Sequence, residues 1–317
     1  MHIGLGLVCG SKIKDMIESG FEFTIFLADW HSWINNKMDG NLENIRVCGE
    51  YFKHCFTALG IQPESVKYVW ASDIAKDIEY WEKVVRIAKS VSLQRTWRAL
   101  PIKGREMSLT DMETAWVYYP CMQAADIFHM ELDVACAGID QRKAHMLARD
   151  AAEKTGWEKP ACIHTPLLMG LQGPEKTERQ FDENADLNLQ ISSKMSKSIP
   201  RTCIFIHDAP EDIKSKIRAA YCPPQQVKVN PILEIAKYVI FIERESLIIP
   251  RPPKYGGPES FENYEKVEKA YVEGKIHPLD LKEGISEALI EILAPVREYF
   301  HKHPQALEKM MKIEITR

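Results

Sequence analysis

Lys194-Met195-Ser196-Lys197-Ser198 puts two ammonium groups and two hydroxyls within five residues, just after a stretch rich in Asp, Asn and Gln. This composition predicts a mobile surface loop that presents point charges and hydroxyl donors to a polyphosphate. A second candidate group opens the chain, at His2-Ile3-Gly4-Leu5. A glycine there lets a substrate approach the backbone, and the N-terminus of a following helix favours phosphate. His2 can donate to a phosphate oxygen, most strongly where charge builds up in a transition state. Each group alone is ordinary, since lysine-serine loops are common and a His-x-Gly at a chain start carries little information. Their pairing is what points to phosphate chemistry.

Three further groups have the spacing for recognition. Tyr119, Gln123 and Asp126 lie four and three residues apart, so on a helix they share one face and can enter one pocket. Hydroxyl and amide suit an ammonium, and a carboxylate suits a phenolic hydroxyl; a buried Tyr-Gln pair satisfying backbone groups has the same spacing. Gly138-Ile139-Asp140-Gln141-Arg142-Lys143 reads as a strand-to-helix turn. There Gly138 permits close approach, Asp140 can cap the helix, and Arg142 and Lys143 form a basic pair on its first turn. Asp29 and His31 follow a predicted strand, where an open α/β sheet draws its polar site groups. His31 is equally consistent with a packed histidine, as are His145 and His164. In the last third, Tyr255 stands in a loop rich in Pro and Gly, and His277-Pro278-Leu279-Asp280 places a carboxylate just after a proline. Without further context the latter run is simply a helix start.

The elements needed to position these groups are legible. Phe23 to Leu27, Val66 to Trp70, Asp133 to Cys136 and Ala161 to His164 are short apolar runs that predict strands. Between them lie helical patterns. One is capped by Asn41 and runs toward Gly60. Another is a long stretch from about Asp77 to Leu100, stopped by Pro101. A third is capped by Thr110 with Glu113, and a fourth runs from Asp140 to Gly156. The alternation predicts a parallel sheet with helices on both faces. From about Asp208 the pattern is almost entirely helical, with cap-then-proline starts at Asp208/Pro210 and Asn230/Pro231. A loop rich in Pro and Gly spans Pro250 to Pro258. Helices are expected to resume near Ser260 and Leu279, with Ile285, Leu289, Ile292 and Val296 on one face. The chain is thus expected to divide at about residue 208.

Bulk properties set limits. At 317 residues the chain is long enough for two domains. Its net charge of −4 excludes global attraction to nucleic acid, so any RNA contact needs a local basic face. No apolar run approaches a membrane span, and no signal peptide opens the chain. The eight cysteines are scattered without a Cys-x-x-Cys pair, which argues against a structural zinc site and suits a reducing cytosol.

The lysine loop is letter for letter the signature loop of the class I aminoacyl-tRNA synthetases, and His2-Ile3-Gly4-Leu5 resembles their second signature. Leu5 stands where that pattern ends in His, so the contacts made from that position are not carried over. Tyr119 to Asp126 and Gly138 to Lys143 resemble the tyrosine-binding segments of the tyrosyl-tRNA synthetases of archaeal and eukaryotic type. The likeness runs from the first residue to near the last. It implies a Rossmann-type α/β catalytic domain over 1–207, with a helical insertion at about 95–132, followed by an all-α anticodon-binding domain over 208–317. It implies two-step chemistry: ATP activates tyrosine, with magnesium accompanying the phosphates, and the acyl group then passes to tRNA(Tyr).

Carried over residue by residue, the resemblance assigns catalysis to His2, Gly4, Lys194 and Lys197, with Met195, Ser196 and Ser198 also at ATP. Tyrosine falls to Tyr119, Gln123, Asp126, Gln141 and Phe26, and tRNA to Arg142, Lys143, Tyr255 and Asp280. It implies a homodimer through the insertion. Relatives carry some tens of residues ahead of the first signature, including a sheet strand and a substrate-holding tyrosine. This sequence has one residue there, so the helix after Gly4 is expected to lack its packing strand. Tryptophanyl-tRNA synthetases share both signatures, and a non-catalytic tRNA-binding relative is the other alternative.

Overall fold

A computed structural model describes residues 1–100, 110–174 and 184–313. In chain order the main helices are α1 (Gly10–Glu18), α2 (Asp29–Ile34), α3 (Leu42–Ala58), α4 (Ile78–Ser90), α5 (Leu93–Ala99), α6 (Ala115–His129), α7 (Arg142–Thr155), α8 (Ala185–Ser192), α9 (Pro210–Ala219), α10 (Pro231–Ile235), α11 (Tyr264–Val272), α12 (Pro278–Ile292), α13 (Ala294–Lys302) and α14 (Pro304–Met311). The strands are β1 (Phe23–Leu27), β2 (Val66–Trp70), β3 (Val134–Gly138), β4 (Ala161–Thr165), β5 (Leu247–Ile249) and β6 (Glu259–Phe261). They form two compact units that are not contiguous in sequence. One comprises residues 1–19, 54–61 and 166–305, the other residues 20–53, 62–165 and 306–317.

The second unit holds the four expected strands, all parallel. β1 pairs with β2 from Phe23↔Val66 to Leu27↔Trp70, and β3 with β4 from Val134↔Ala161 to Gly138↔Thr165. Among the described residues these are two separate two-stranded pairs. Tyr80, Val84 and Ile87 recur at helical spacing on α4 and bury one face. They share a core with Met122, Ala124 and Ala125 of α6 and with Leu147, Ala148 and Ala151 of α7. The alanines let these helices approach closely. Ala75 also belongs to this core, and Ile74 packs against it.

The first unit contains the chain start and most of the C-terminal region. Met1 to Ile3 pairs with 204–206: the Ile3 amide donates to the Ile204 carbonyl at 2.9 Å, and the Ile206 amide to Met1 at 3.1 Å. Ile3, Leu7 and Val8 are buried, and Gly6 lies close to the Ile206 and Leu59 side chains. Farther on, Asn230 caps α10, its Oδ1 accepting from the Ile232 and Leu233 amides. Helix α12 buries Leu281, Ile285 and Leu289 and packs against α9 and β5.

Several local expectations fail for identifiable reasons. The long helix after Asp77 breaks at Val91, because Ser92 caps a new helix by accepting from the Arg95 amide at 3.2 Å. The predicted stop at Pro101, and 101–109 of the expected insertion, lie outside the described residues. Helix α6 begins beyond the Thr110/Glu113 box, with Thr114 at the cap position and no side-chain cap bond. A 3₁₀ turn over Ile139–Gln141 intervenes before α7, so Gln141, not Asp140, is its cap residue. Asp208 does not cap α9, because its carboxylate takes the Phe205 amide and the Lys216 ammonium. The region after 208 is not wholly helical: Ser260 lies in β6, which pairs antiparallel with β5, and α11 begins at Tyr264 under an Asn263 cap.

Gly284 of α12 faces β5 so closely that a Cβ would meet the Ile248 carbonyl oxygen at 2.7 Å. Backbone cannot swing aside as a side chain can. Gly284→Ala is therefore expected to destabilise the fold by about 1–3 kcal/mol. Urea unfolding should show a lower midpoint at unchanged slope.

Candidate functional site

The two phosphate-directed groups lie in the same unit. His2 precedes a π-helical turn, Gly4–Cys9, that runs into α1. The Leu5 and Gly6 amides donate to the His2 carbonyl, and Leu5 N–H also reaches His2 Nδ1 at 3.4 Å. Burial, joined by the chain's terminal amine and by Lys197 and Lys194, lowers the His2 pKa to about 4. The ring is thus neutral at neutral pH. With Nδ1 accepting from Leu5, Nε2 carries the proton and can donate. Gly4 matters sterically here, since a Cβ would lie 3.1 Å from the His2 ring and 3.7 Å from Leu168.

The lysine loop follows α8 and is stitched to Leu168–Leu171. The Met195 amide donates to Leu168, the Gly170 amide to Ser193 at 2.8 Å, and Met169 forms an antiparallel bridge with Lys194. The Met195 side chain is buried, so it anchors the loop, while Lys194, Ser196 and Lys197 remain partly accessible. The Ser198 amide donates to Ser196 Oγ at 3.3 Å, which turns the loop tip. Leu168, which accepts the Met195 amide, also lies 3.7 Å from where a Gly4 Cβ would stand, so the loop and the first motif share one neighbourhood.

In the other unit, Tyr119, Gln123 and Asp126 share α6 as their spacing requires. Asp126 is buried, with partners from two other elements. Tyr80 Oη donates to its Oδ1 at 3.0 Å, and His31 Nε2 lies 3.0 Å from its Oδ2. Neither ring nitrogen of His31 is aligned for a hydrogen bond among the described residues, so that contact is a close approach only. Around it, the His31 ring meets Tyr119 edge-on at 5.2 Å and Phe26 at 5.9 Å. Burial and then the Asp126 charge raise the pKa of both Tyr80 and Tyr119, so both phenols stay protonated. Gln123 Nε2 donates to Gln141 Oε1 at 3.1 Å, which joins α6 to the turn after β3. The cluster offers spare lone pairs on a buried carboxylate beside aromatic walls and two amides.

His31 settles as a member of this cluster. Tyr80 was not singled out in the sequence, because only the fold sets it against Asp126. His145 and His164 instead satisfy each other, Nδ1 to Nε2, at 3.1 Å. Arg142 is exposed and Lys143 half-buried at the start of α7. Among the described residues no group of three or more His, Cys, Asp or Glu side chains is placed to hold a metal ion.

A third feature lies in the first unit. Asp280, on the first turn of α12, helps line a cavity of about 750 Å³ with Lys214, Arg218, Arg251, Lys282 and Glu283. Four cations against two carboxylates make it a local basic site on a chain of net negative charge. These basic residues were not singled out in the sequence, as they come from α9, α12 and the proline loop. Tyr255 is 62% exposed, with the Lys254 ammonium 4.8 Å from its ring centroid. Arg251 Nε holds the adjacent turn by donating to the Gly257 carbonyl at 3.1 Å.

Comparison with known proteins agrees with this layout. The family model described as tRNA synthetases class I (W and Y) matches residues 1–178 and 188–294. A tyrosine–tRNA ligase of Thermococcus kodakarensis is 45% identical over 336 residues, spanning all of this chain and 88% of that one. Another from Aeropyrum pernix is 46% identical over 297 residues, 93% of this chain and 81% of that one. The crystal structure of a tyrosyl-tRNA synthetase from Pyrococcus horikoshii complexed with L-tyrosine superposes with a TM-score of 0.89 at 41% identity, covering 99% of this chain and 88% of that one. A tryptophanyl-tRNA synthetase from Encephalitozoon cuniculi shares the fold, with a TM-score of 0.67 at 18% identity, over 99% of this chain and 79% of that one.

The buried histidines give a pH prediction. Burial lowers His2, His145 and His207 each to about 4, against 6.5 for an unburied ring. Between these limits the unfolded chain binds more protons than the folded one. Stability is therefore full above pH 6.5 and falls as pH drops toward 4. Urea unfolding across that window should show a steady loss, less steep for His145→Asn; a flat profile would contradict neutral buried rings.

Proposed function

The chain belongs to the class I tRNA synthetases for tryptophan and tyrosine, and within them to the tyrosine–tRNA ligases; from that premise we propose that it activates L-tyrosine with ATP and charges tRNA(Tyr) by the following division of labour. The tyrosine carboxylate attacks the α-phosphorus of ATP. A new oxygen–phosphorus bond forms, the bond to the β-phosphate bridge breaks, and pyrophosphate leaves. The terminal ribose hydroxyl of the tRNA then attacks the acyl carbon, and AMP leaves. One observation supports the assignment of the phosphate groups: Leu168, which accepts the Met195 amide of the lysine loop, also lies 3.7 Å from where a Cβ on Gly4 would stand, at the point 3.1 Å from the His2 ring. In this reading Lys194 and Lys197 neutralise the outer phosphates, Ser196 and Ser198 add hydrogen bonds, and His2 donates through Nε2 to the reacting phosphate. Gly4 keeps that ring's surroundings open. Magnesium arrives with ATP, held by phosphates and water.

Asp126 accepts the substrate phenol, and Tyr119, Gln123 and Gln141 receive the ammonium, with Phe26 along the ring. Phenylalanine would leave the buried carboxylate short of a partner, which supports selection for the hydroxyl. Arg142 and Lys143 are offered to the acceptor stem. The cavity around Asp280 supports its reading of a guanine base, with Tyr255 as a stacking platform and the surrounding cations for phosphates. On this reading 1–207 is the catalytic part and 208–317 the anticodon-binding part. A homodimer through the insertion at about 95–132 is supported by exposed Tyr118. Eight cysteines, none of them in a disulfide among the described residues, suit a cytoplasmic site of action.

Pyrophosphate exchange into ATP should be stimulated by tyrosine, and not by tryptophan or phenylalanine. Stimulation by tryptophan instead would select the sister activity, and tRNA binding without any exchange would select a non-catalytic role. Lys194→Ala and Lys197→Ala should each lower the exchange rate by about 10²-fold while leaving tyrosine affinity within about twofold, as calorimetry would show. An equal loss of tyrosine affinity would contradict the roles given to the lysines.

A further inference from the structure

Glu234 is a half-buried carboxylate that none of the roles above uses. It sits on α10, whose other side chains Pro231, Ile232, Leu233 and Ile235 are core residues. The Asn230 cap and the Glu234 amide's bond to the Asn230 carbonyl hold that turn in place. Its Oε2 accepts from the Met169 amide at 2.8 Å.

Met169 is the residue bridged to Lys194. In this antiparallel bridge the hydrogen bonds flank the pair, from Gly170 to Ser193 on one side and from Met195 to Leu168 on the other. The amide of Met169 itself therefore points away from the lysine loop. Left alone it would be a backbone donor with no partner in its own ladder, and Glu234 supplies the acceptor. The carboxylate is costly to bury, since desolvation raises its pKa while the Met169 amide and the Lys237 ammonium oppose the rise. A glutamate kept there against that cost ties the loop's backing strand to a rigid helix.

We propose that Glu234 is a positioning residue for ATP: by fixing Met169 it sets, through the Met169–Lys194 bridge, where the Lys194 and Lys197 ammoniums stand. This rests on the reading that those lysines serve ATP. Misplacing a charge by about 1 Å can cost on the order of 10²-fold in rate, so a bond one residue removed from the loop has leverage.

The test compares Glu234→Leu, which keeps bulk without an acceptor, with Glu234→Gln, which keeps an acceptor oxygen, and Glu234→Asp, which retracts it. Two readouts are taken on the full chain: tyrosine-dependent pyrophosphate exchange, and the native-state rate of tryptic cleavage after Lys194 and Lys197 by mass spectrometry. Glu234→Leu should lower kcat/KM for ATP by about tenfold or more, leave KM for tyrosine within about twofold, and speed cleavage at the two lysines selectively. Glu234→Gln should restore most of both. Unchanged cleavage and ATP parameters in Glu234→Leu would overturn the proposal, as would a matching loss of tyrosine binding. If the leucine variant does not fold, Glu234→Asp decides, with the same shifts expected and wild-type behaviour overturning it. If the wild type shows no exchange at all, the ATP reading has failed; cleavage at the lysines then decides the positioning claim on its own.

Discussion

The backbone of Leu168 to Leu171 is the constraint on which the phosphate site depends. It takes hydrogen bonds from or gives them to both sides of the lysine loop, at Ser193 and Met195, and to Thr202 beyond it. Leu168 also lies beneath Gly4, beside the His2 ring. Two sequence motifs nearly two hundred residues apart are thus referred to one short rail. Two ammonium groups beside a third cation would repel one another. Burial of His2 avoids this by keeping the imidazole uncharged, which suits the neutral-donor role proposed for it beside two positive charges. Phosphoryl chemistry of this kind asks for positioning and charge more than for a protein nucleophile, and the rail supplies the positioning.

The recognition cluster follows a different logic. A carboxylate as buried as Asp126 is expensive unless its oxygens are partnered. Tyr80 of α4 donates to one oxygen, and His31 of α2 approaches the other at 3.0 Å without an aligned hydrogen bond. The core that packs α4 on α6 therefore also sets Tyr80 against Asp126, the carboxylate proposed to read the substrate phenol. Packing and recognition are here one structural fact: loosening the alanine-rich helix contacts would misplace Tyr80 and leave the carboxylate short of a donor.

Much of this was legible in the sequence, and the limits have physical causes. β1 to β4 appear within a residue or two of their expected places, because short apolar runs between polar turns have few alternatives. The face shared by Tyr119, Gln123 and Asp126 follows from helical spacing alone. Caps were less secure. A side chain free to bond locally can be claimed by a distant partner, as Lys216 claims Asp208. Tyr80 and Glu234 were not legible, since their partners lie 46 and 65 residues away and no local pattern marks either pairing. The short β5–β6 pair interrupted a region read as helical, three residues being too few to show a period. The family resemblance supplied roles that spacing could not.

Histidine-selective NMR of the His2 ring during titration with magnesium-ATP tests most directly whether the two motifs hold one triphosphate. The account predicts a saturable shift of the His2 resonance that is strongly reduced when Lys194 and Lys197 are both replaced by alanine. A His2 resonance that stays unmoved while ATP demonstrably binds would contradict it.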